Sequence, residues 1–407
     1  MLLVTTSVAT HGIYYFIMNH DNYENVYDPD NLIAAYKAAR KGSAWKGQVQ
    51  KYGMDYLLNL RKLQKELEAD TYKDGDKNEF ILRERGKTRL IRAATFKDRV
   101  ARHSLCDNVL TPILAQKLIY DNCASLKGRG VDMARRRLKV HLQRYYRRYK
   151  TNEGYILLMD FSGFYDNIRH DKLMEYVKQY VNDKRVLALT QHIVDGFSED
   201  VSFLADAEIK KLYYGKFKAL DFAQVPSKVK TGEKYMRKGM DIGDQCSQIL
   251  SVFYPTPIDN YIKIVEGEKF YARYMDDSYI ISPDKARLKH LLEKIKEIAA
   301  GLGIFINERK TRIVKISKTF RYMQNKYFIT PTGKVVERAN TKRITCMRRK
   351  LKRLARLIKE HRTTYEAAEM MFRSWKGNYY RIMSRAQRRN MDKVFNNTIG
   401  GFKNVTL

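Results

Sequence analysis

The chain has 407 residues, 44% of them hydrophobic, which is enough for a sizeable core spread over two or three subdomains and excludes a disordered tail. Its 78 lysines and arginines against 45 aspartates and glutamates leave a formal charge of +33, more than solubility asks for, so a polyanion is the expected partner, with a solvated basic surface or a membrane-surface face as the blander reading. Cys106, Cys123, Cys246 and Cys346 lack the close pairs of zinc sites and compact disulfide scaffolds, which suits a reduced, cytoplasmic setting.

The opening residues 1–18 are apolar but have no basic n-region, are interrupted by His11 and fall short of a bilayer span, so they are read as part of the fold. No other stretch reaches the roughly 18 apolar residues of a membrane helix, and no membrane partner is expected. Over residues 31–68, Leu32, Tyr36, Trp45, Tyr56, Leu57, Leu60 and Leu63 recur near helical spacing, broken at Gly42 and Gly53, which predicts a helical N-terminal extension over 1–70. Residues 79–92 place two β-type runs around Arg85-Gly86, a basic hairpin able to reach over a phosphate. Helices are predicted over 97–115 and 132–149, the second with a basic face from Arg135–Arg137, Arg147 and Arg148.

The apolar run Tyr155–Asp160 predicts a buried strand that delivers Asp160 at its end. After the loop 239–244 a helix is expected over 247–261, and residues 271–281 read as two strands meeting at Asp276 and Asp277. An amphipathic helix over 288–302 and a strand over 303–306 follow. This alternation predicts an α+β domain with a central sheet and helices on one face. From 341 to 407 there are 18 basic residues against 4 acidic ones, or +14, which marks a basic helical C-terminal part.

Phosphoryl transfer from a nucleoside triphosphate uses two divalent cations, and magnesium takes oxygen ligands, so carboxylates must converge. Asp276 and Asp277 at a hairpin tip, with Asp160 ending a neighbouring strand, supply that pattern if the strands pair; an ordinary turn also accommodates Asp-Asp.

Tyr274-Met-Asp-Asp277 between apolar strands resembles the most diagnostic motif of reverse transcriptases, and Asp160-Phe-Ser-Gly-Phe-Tyr-Asp166 is similar to their first carboxylate motif. The resemblance implies a right-hand polymerase fold with fingers and palm over 71–335 and a basic helical thumb over 336–407. It implies that Asp160 and Asp276 bind two Mg2+ ions, or Mn2+ in their place, with the Phe161 carbonyl completing the site and Asp277 supporting it. Tyr165 would be the gate against a ribose 2'-hydroxyl, while Asp166 takes a surface or helix-cap role. Lys87 and Arg89 would grip the triphosphate. Asn307 and Lys310 fall in the motif whose lysine assists pyrophosphate departure, and residues 320–328 resemble the primer-gripping strands.

Where most relatives carry Gln-Gly and Ser-Pro, this chain has Ile242-Gly243 and Ser247-Gln248, a pattern similar to the reverse transcriptases of diversity-generating retroelements. Ile242, Gly243 and Gln248 are therefore placed at the incoming nucleotide. Because Ile242 removes a hydrogen-bonding side chain there, error-prone synthesis is expected. Arg348, Arg349, Lys350, Lys352, Arg353 and Arg356 would form a cationic helical face for nucleic acid, and Trp375, Tyr379 and Tyr380 are read as thumb core. The implied partners are an RNA template, a DNA or RNA primer and its cDNA, deoxynucleoside triphosphates, and a small basic accessory protein or a noncoding RNA. Three other readings stand beside this one: an antiphage defence or retron-type enzyme using a dedicated noncoding RNA, a catalytically decayed nucleic-acid-binding protein, and an RNA-dependent RNA polymerase, against which the bulky Tyr165 counts.

Overall fold

The computed structural model describes residues 20–84 and 86–403. The reading of residues 1–18 as part of the fold, and Arg85 of the hairpin turn, lie outside the described residues. The chain forms two compact units: the first is Met1–Leu118 with Tyr165–Tyr254, the second Ile119–Phe164 with Pro255–Leu407.

The second unit is built on the strand Tyr155–Asp160. It pairs antiparallel with Asp277–Ser282 on one side and Arg312–Lys315 on the other, and Tyr271–Tyr274 completes a four-stranded sheet next to Asp277–Ser282. On one face Ile156, Leu158, Tyr279 and Ile281 pack with Ala134, Leu138, Leu142 and Tyr145 of the helix Val131–Tyr149. The same core takes in Phe320, Tyr322, Tyr327 and Ile329 from a three-stranded sheet of Phe320–Tyr322, Asn325–Ile329 and Val335–Arg338. On the other face Leu157, Met159 and Ile280 are also buried, and the helix Lys285–Gly301 packs there through Leu288, Leu291, Ile295 and Ala299. Helices thus cover both faces instead of the one expected, because the run Tyr155–Met159 has no polar side to leave in water.

Three other elements depart from the sequence expectation for local reasons. The strand expected over 303–306 is only an isolated bridge between Phe161 and Ile306. Gly303 turns the chain at φ +70° and Asn307 opens a tight turn, its carbonyl accepting from the Lys310 and Thr311 amides, so too few extended residues remain for a ladder. The helix over 97–115 is an α-helix Phe96–Leu105, a π-turn Cys106–Leu110 and a short helix Thr111–Ala115, interrupted where Pro112 has no N–H to donate. Pro255 and Pro257 likewise divide the expected 247–261 helix into Gln245–Phe253, Thr256–Asn260 and a π-turn Tyr261–Val265.

The C-terminal part is a three-helix bundle of Thr341–Lys359, Tyr365–Tyr379 and Arg385–Thr398. Each helix starts on a capping side chain: Asn340, Thr364, and Ser384 in a reciprocal box with Gln387. Ile344, Met347 and Leu351 form the buried stripe of the first helix, and Trp375, Tyr379 and Tyr380 pack against the bundle core, with Trp375 stacked on Phe372 and Tyr379. Among the described residues no helix is long and apolar enough to cross a membrane.

The sheet of the second unit is braced from behind by a buried polar network. His141 Nδ1 bonds the Tyr279 hydroxyl at 2.9 Å, and Arg137 donates to its Nε2 at 3.0 Å. Asp121 accepts from Arg137 at 2.5 Å and from Lys263 at 2.8 Å. Burial, resisted by Asp121 and reinforced by Arg137, Lys263 and Arg144, holds the His141 pKa down to about 3. The folded state therefore carries neutral imidazole, and its stability is complete above the unfolded value of 6.5 and lost as pH falls toward 3. Urea titrations at pH 7.5 and 5.5 are expected to show His141 alone costing about 1 kcal/mol over that interval. His141→Gln should remove this part of the slope, and an unchanged slope in the variant would contradict the assignment.

Candidate active site

Asp160 ends its strand directly opposite Asp277, and Tyr274 pairs with Asp277 to close the hairpin. Met275 and Asp276 make the tip. Met275 sits at φ +53°, a left-handed backbone that costs a non-glycine residue about 1–2 kcal/mol. The Phe161 amide donates to the Asp276 carbonyl at 3.2 Å, and the Asn307 amide donates to the Asp160 carbonyl at 2.8 Å. Backbone pairing alone thus gathers Asp160, Phe161, Asp276 and Asp277 at one end of the sheet, together with the Asn307–Lys310 turn.

The side chains show what that closeness does electrostatically. Lys310 Nζ lies 2.7 and 2.9 Å from the two oxygens of Asp160, and Asn307 Nδ2 donates to the same carboxylate at 2.9 Å. Burial works against the Lys310 charge, but the hydrogen bond and charge of Asp160, then the charges of Asp277 and Asp276, raise its pKa above the ordinary lysine value. The Tyr274 phenol is pushed up by burial and then by Asp276 and Asp277. A cleft of about 300 Å³ opens here, lined among others by Asp160, Asp277, Ser278, Lys310, Arg312 and Tyr322.

The donors are hard oxygens at a focus of negative charge, which fits a divalent cation of the magnesium type. Among the described residues, no three acidic, histidine or cysteine side chains are drawn into a ready-made metal cage. The Lys310 ammonium is the cation that Asp160 holds in this structure.

The nucleotide-binding residues expected from sequence other than Lys310 lie in the first unit. Lys87 is exposed and Arg89 half-buried on one side of the hairpin Asn78–Glu84 and Lys87–Ala93. Arg92, on the other side, is drawn inward to Glu199, to Glu79 at 2.6 Å and toward Asp241 at 3.8 Å. Tyr165 begins a short 3-10 turn whose backbone is tied to the loop ahead of Ile242: its carbonyl accepts from Met240 at 2.9 Å, and that of Ile168 accepts from Gly239 at 2.8 Å. Gly239, at φ +100°, passes so close to Asp166 that an added Cβ would lie 3.5 Å from its carbonyl. Asp166 is half-buried, not at the surface; it takes the Ala219 amide at the start of the turn Ala219–Phe222, and burial raises its pKa to about 6.

Ile242, Gly243 and Gln248 line a cleft of about 810 Å³ with Phe80, Ile91 and Trp45. Asp244 accepts the Cys246 and Ser247 amides to start the helix Gln245–Phe253, and buried Arg102 binds Asp244 and, at 2.9 Å, Asp74. Asp241 pairs with Lys77 at 2.6 Å. Arg92, Arg102, Asp241 and Asp244 were not singled out from sequence. Asp244 could have been, since an aspartate before a helix two residues beyond the loop is an N-cap signal.

Of the basic residues of the first bundle helix, Arg349, Lys350, Lys352, Arg353 and Arg356 are exposed. Arg348 departs from that face: it is half-buried and donates to Asn390 of the third bundle helix at 2.6 Å. The side chain sits beside the buried stripe, so the bundle uses it to tie two helices.

Residues 73–325 match the family profile described as reverse transcriptase (RNA-dependent DNA polymerase). The chain belongs to the reverse transcriptase family. The match runs from just ahead of the basic hairpin through the first strand of the three-stranded sheet to the start of its second, and takes in both carboxylate motifs. Membership gives the chain the right-hand polymerase fold of that family, whose members are RNA-directed DNA polymerases that generally use divalent metal ions. No curated protein matches it.

Among solved structures it is similar to telomerase from Candida albicans in complex with a TWJ fragment of telomeric RNA, at 14% identity over 70% of this chain and 50% of that one, with a TM-score of 0.39. It is also similar to apo telomerase from Candida tropicalis (17%, 64% and 47%, TM-score 0.39) and to a form of it truncated from the C-terminal domain (16%, 64% and 54%, TM-score 0.40). This reverse transcriptase spans about half the length of those chains.

Because like charges opposite each other across strands oppose folding, Asp277→Asn is expected to stabilise the protein in EDTA by about 0.5–1 kcal/mol. Magnesium should raise the melting temperature of the wild type more than that of the variant. Calorimetry in both buffers checks this, and a variant less stable than wild type in EDTA would refute the repulsion argument.

Proposed function

We propose that the chain copies an RNA template into DNA by nucleotidyl transfer at Asp160, Asp276 and Asp277. The supporting observation is the register that sets Asp160 opposite Asp277 beside the Asp276 tip, in a chain of the reverse transcriptase family. Two divalent ions bound by Asp160, Asp276 and the Phe161 carbonyl, with Asp277 in support, would activate the primer 3'-hydroxyl and neutralise the pyrophosphate displaced from the α-phosphorus. Lys310, now on Asp160, is placed to exchange that carboxylate for the departing anion. Lys87 and Arg89 supply the positive charge for a triphosphate, and Tyr165 excludes a ribose hydroxyl. In this reading residues 1–70 are an extension, 71–335 fingers and palm, and 336–407 the thumb, whose Lys350, Arg353 and Arg356 follow the duplex backbone without reading sequence.

Primer extension on an RNA template with Mg2+ and deoxynucleotides tests this directly. Asp276→Ala is expected to lower the rate on the order of 1,000-fold, as loss of a metal carboxylate removes several kcal/mol of transition-state stabilisation. A wild type with bound nucleic acid and no incorporation would favour the decayed, binding-only reading, and preference for ribonucleotides would assign a different polymerase class.

The finer reading is a diversity-generating retroelement enzyme, supported by Ile242-Gly243 and Ser247-Gln248 and by the apolar lining that Ile242 shares with Phe80 and Ile91. An apolar wall offers no hydrogen bond to a mispositioned base, so discrimination rests on shape alone. Sequenced products should show errors concentrated at template adenines, and Ile242→Gln should reduce them severalfold with extension retained. Uniform, low error in the wild type would instead favour the retron-type or defence role with a dedicated noncoding RNA.

A further inference from the structure

We propose that Arg273 is the positioning residue of the acidic hairpin, fixing the Met275 carbonyl so that Asp276 and Asp277 present their carboxylates in one pose. The inference rests on reading those carboxylates as the metal-binding pair.

Arg273 is fully buried on the strand Tyr271–Tyr274. Its Nε reaches the two oxygens of Asp259 at 2.9 and 3.1 Å, and Nη2 reaches Oδ2 at 2.6 Å. Asp259 is itself fully buried and also accepts from the Tyr271 hydroxyl at 2.5 Å. The backbone of Arg273 is held as well: its amide donates to the Asp121 carbonyl at 3.1 Å, and its carbonyl accepts from Cys123 at 2.8 Å. One donor is turned the other way, with Nη1 donating to the Met275 carbonyl at 3.1 Å.

That last bond gives the pair its function. Neutralising Asp259 needs only Nε and Nη2, which leaves Nη1 for the Met275 carbonyl. Met275 occupies a left-handed backbone that an L-residue leaves when released. The next peptide carries Asp276, whose carbonyl already takes the Phe161 amide, so a rotation at Met275 would swing both carboxylates and strain that bond. Arg273 therefore couples a rigid, fully compensated buried charge to the one strained residue of the hairpin. A planar fork can hold Asp259 and Met275 at once, whereas a lysine ammonium in the same place serves Asp259 only.

The full-length chain is compared with Arg273→Lys and with the triple variant Arg273→Met, Asp259→Leu, Tyr271→Phe, which removes the buried charges together and so spares the fold. Folding is checked by circular dichroism. Mn2+ binding is followed by electron paramagnetic resonance without nucleotides, and extension kinetics are measured as a function of Mg2+ and deoxynucleotide. Both variants are expected to need about tenfold more metal, by resonance and at half-maximal extension, and to lose kcat while KM for the nucleotide stays within about twofold. A folded variant with wild-type metal dependence and kcat overturns the proposal. If neither variant folds, the pair is structural and the proposal also falls. A wild type that neither extends a primer nor binds Mn2+ is a different failure, that of the polymerase reading itself.

Discussion

Asp160 and Asp277 stand directly opposite each other on neighbouring antiparallel strands, an arrangement that like charges resist, and the second unit is organised around holding it. The strand that carries Asp160 is buried on both faces, so it cannot slip by one residue without turning its apolar side chains out of two cores at once. Lys310 and Asn307 meet the Asp160 carboxylate from the turn that follows the Lys285–Gly301 helix, and the Arg273–Asp259 pair holds the hairpin from below. A site built this way keeps its geometry because the cost of crowding charge is spread over the fold and not relaxed locally.

The supports differ in kind, and the difference matters. Asp259 with Arg273, and Asp121 with Arg137 and Lys263, are buried charges whose partners are protein groups, so they neither invite a metal nor compete for one. Removing one member of such a pair would leave an uncompensated charge inside the core, which is worth several kcal/mol and explains why they come as closed sets. Asp160 is different: it is 6% exposed, yet its cation is a lysine on a mobile four-carbon stem whose side chain is 53% exposed. A carboxylate held by such a partner can exchange it for another cation, which the closed sets cannot do.

How far the residues announced all this depends on the range of the interaction involved. The strand, hairpin and amphipathic helices were legible because apolar runs, turn residues and caps act within a few positions. So was the pairing of Asp160 with the acidic tip, since two buried strands that end in carboxylates have few other ways to dispose of them. The prolines that split two helices were visible in the sequence but were not weighed as breaks. Arg92, Arg102, Arg273 and Asp259 were not legible, because an arginine's partner 14 to 142 residues away leaves no periodic trace. Arg348 shows the converse: charge suggested a solvated face, and the buried stripe beside it decided otherwise.

The loop that carries Ile242 shows how a side chain can change without cost to the backbone around it. Its neighbours are fastened by other means: Gly239 by a left-handed backbone and a bond to the Ile168 carbonyl, Asp241 by Lys77, and Asp244 by Arg102 and two helix amides. None of these bonds passes through the side chain at 242. That side chain can therefore be apolar or polar while the backbone path, the start of the Gln245–Phe253 helix and the position of Gln248 stay as they are. A position so insulated lets one substitution alter the chemistry of the cleft that it lines. Ile242 is half-buried on the wall of that cleft with Phe80 and Ile91, so a change of its side chain is felt in the cleft first.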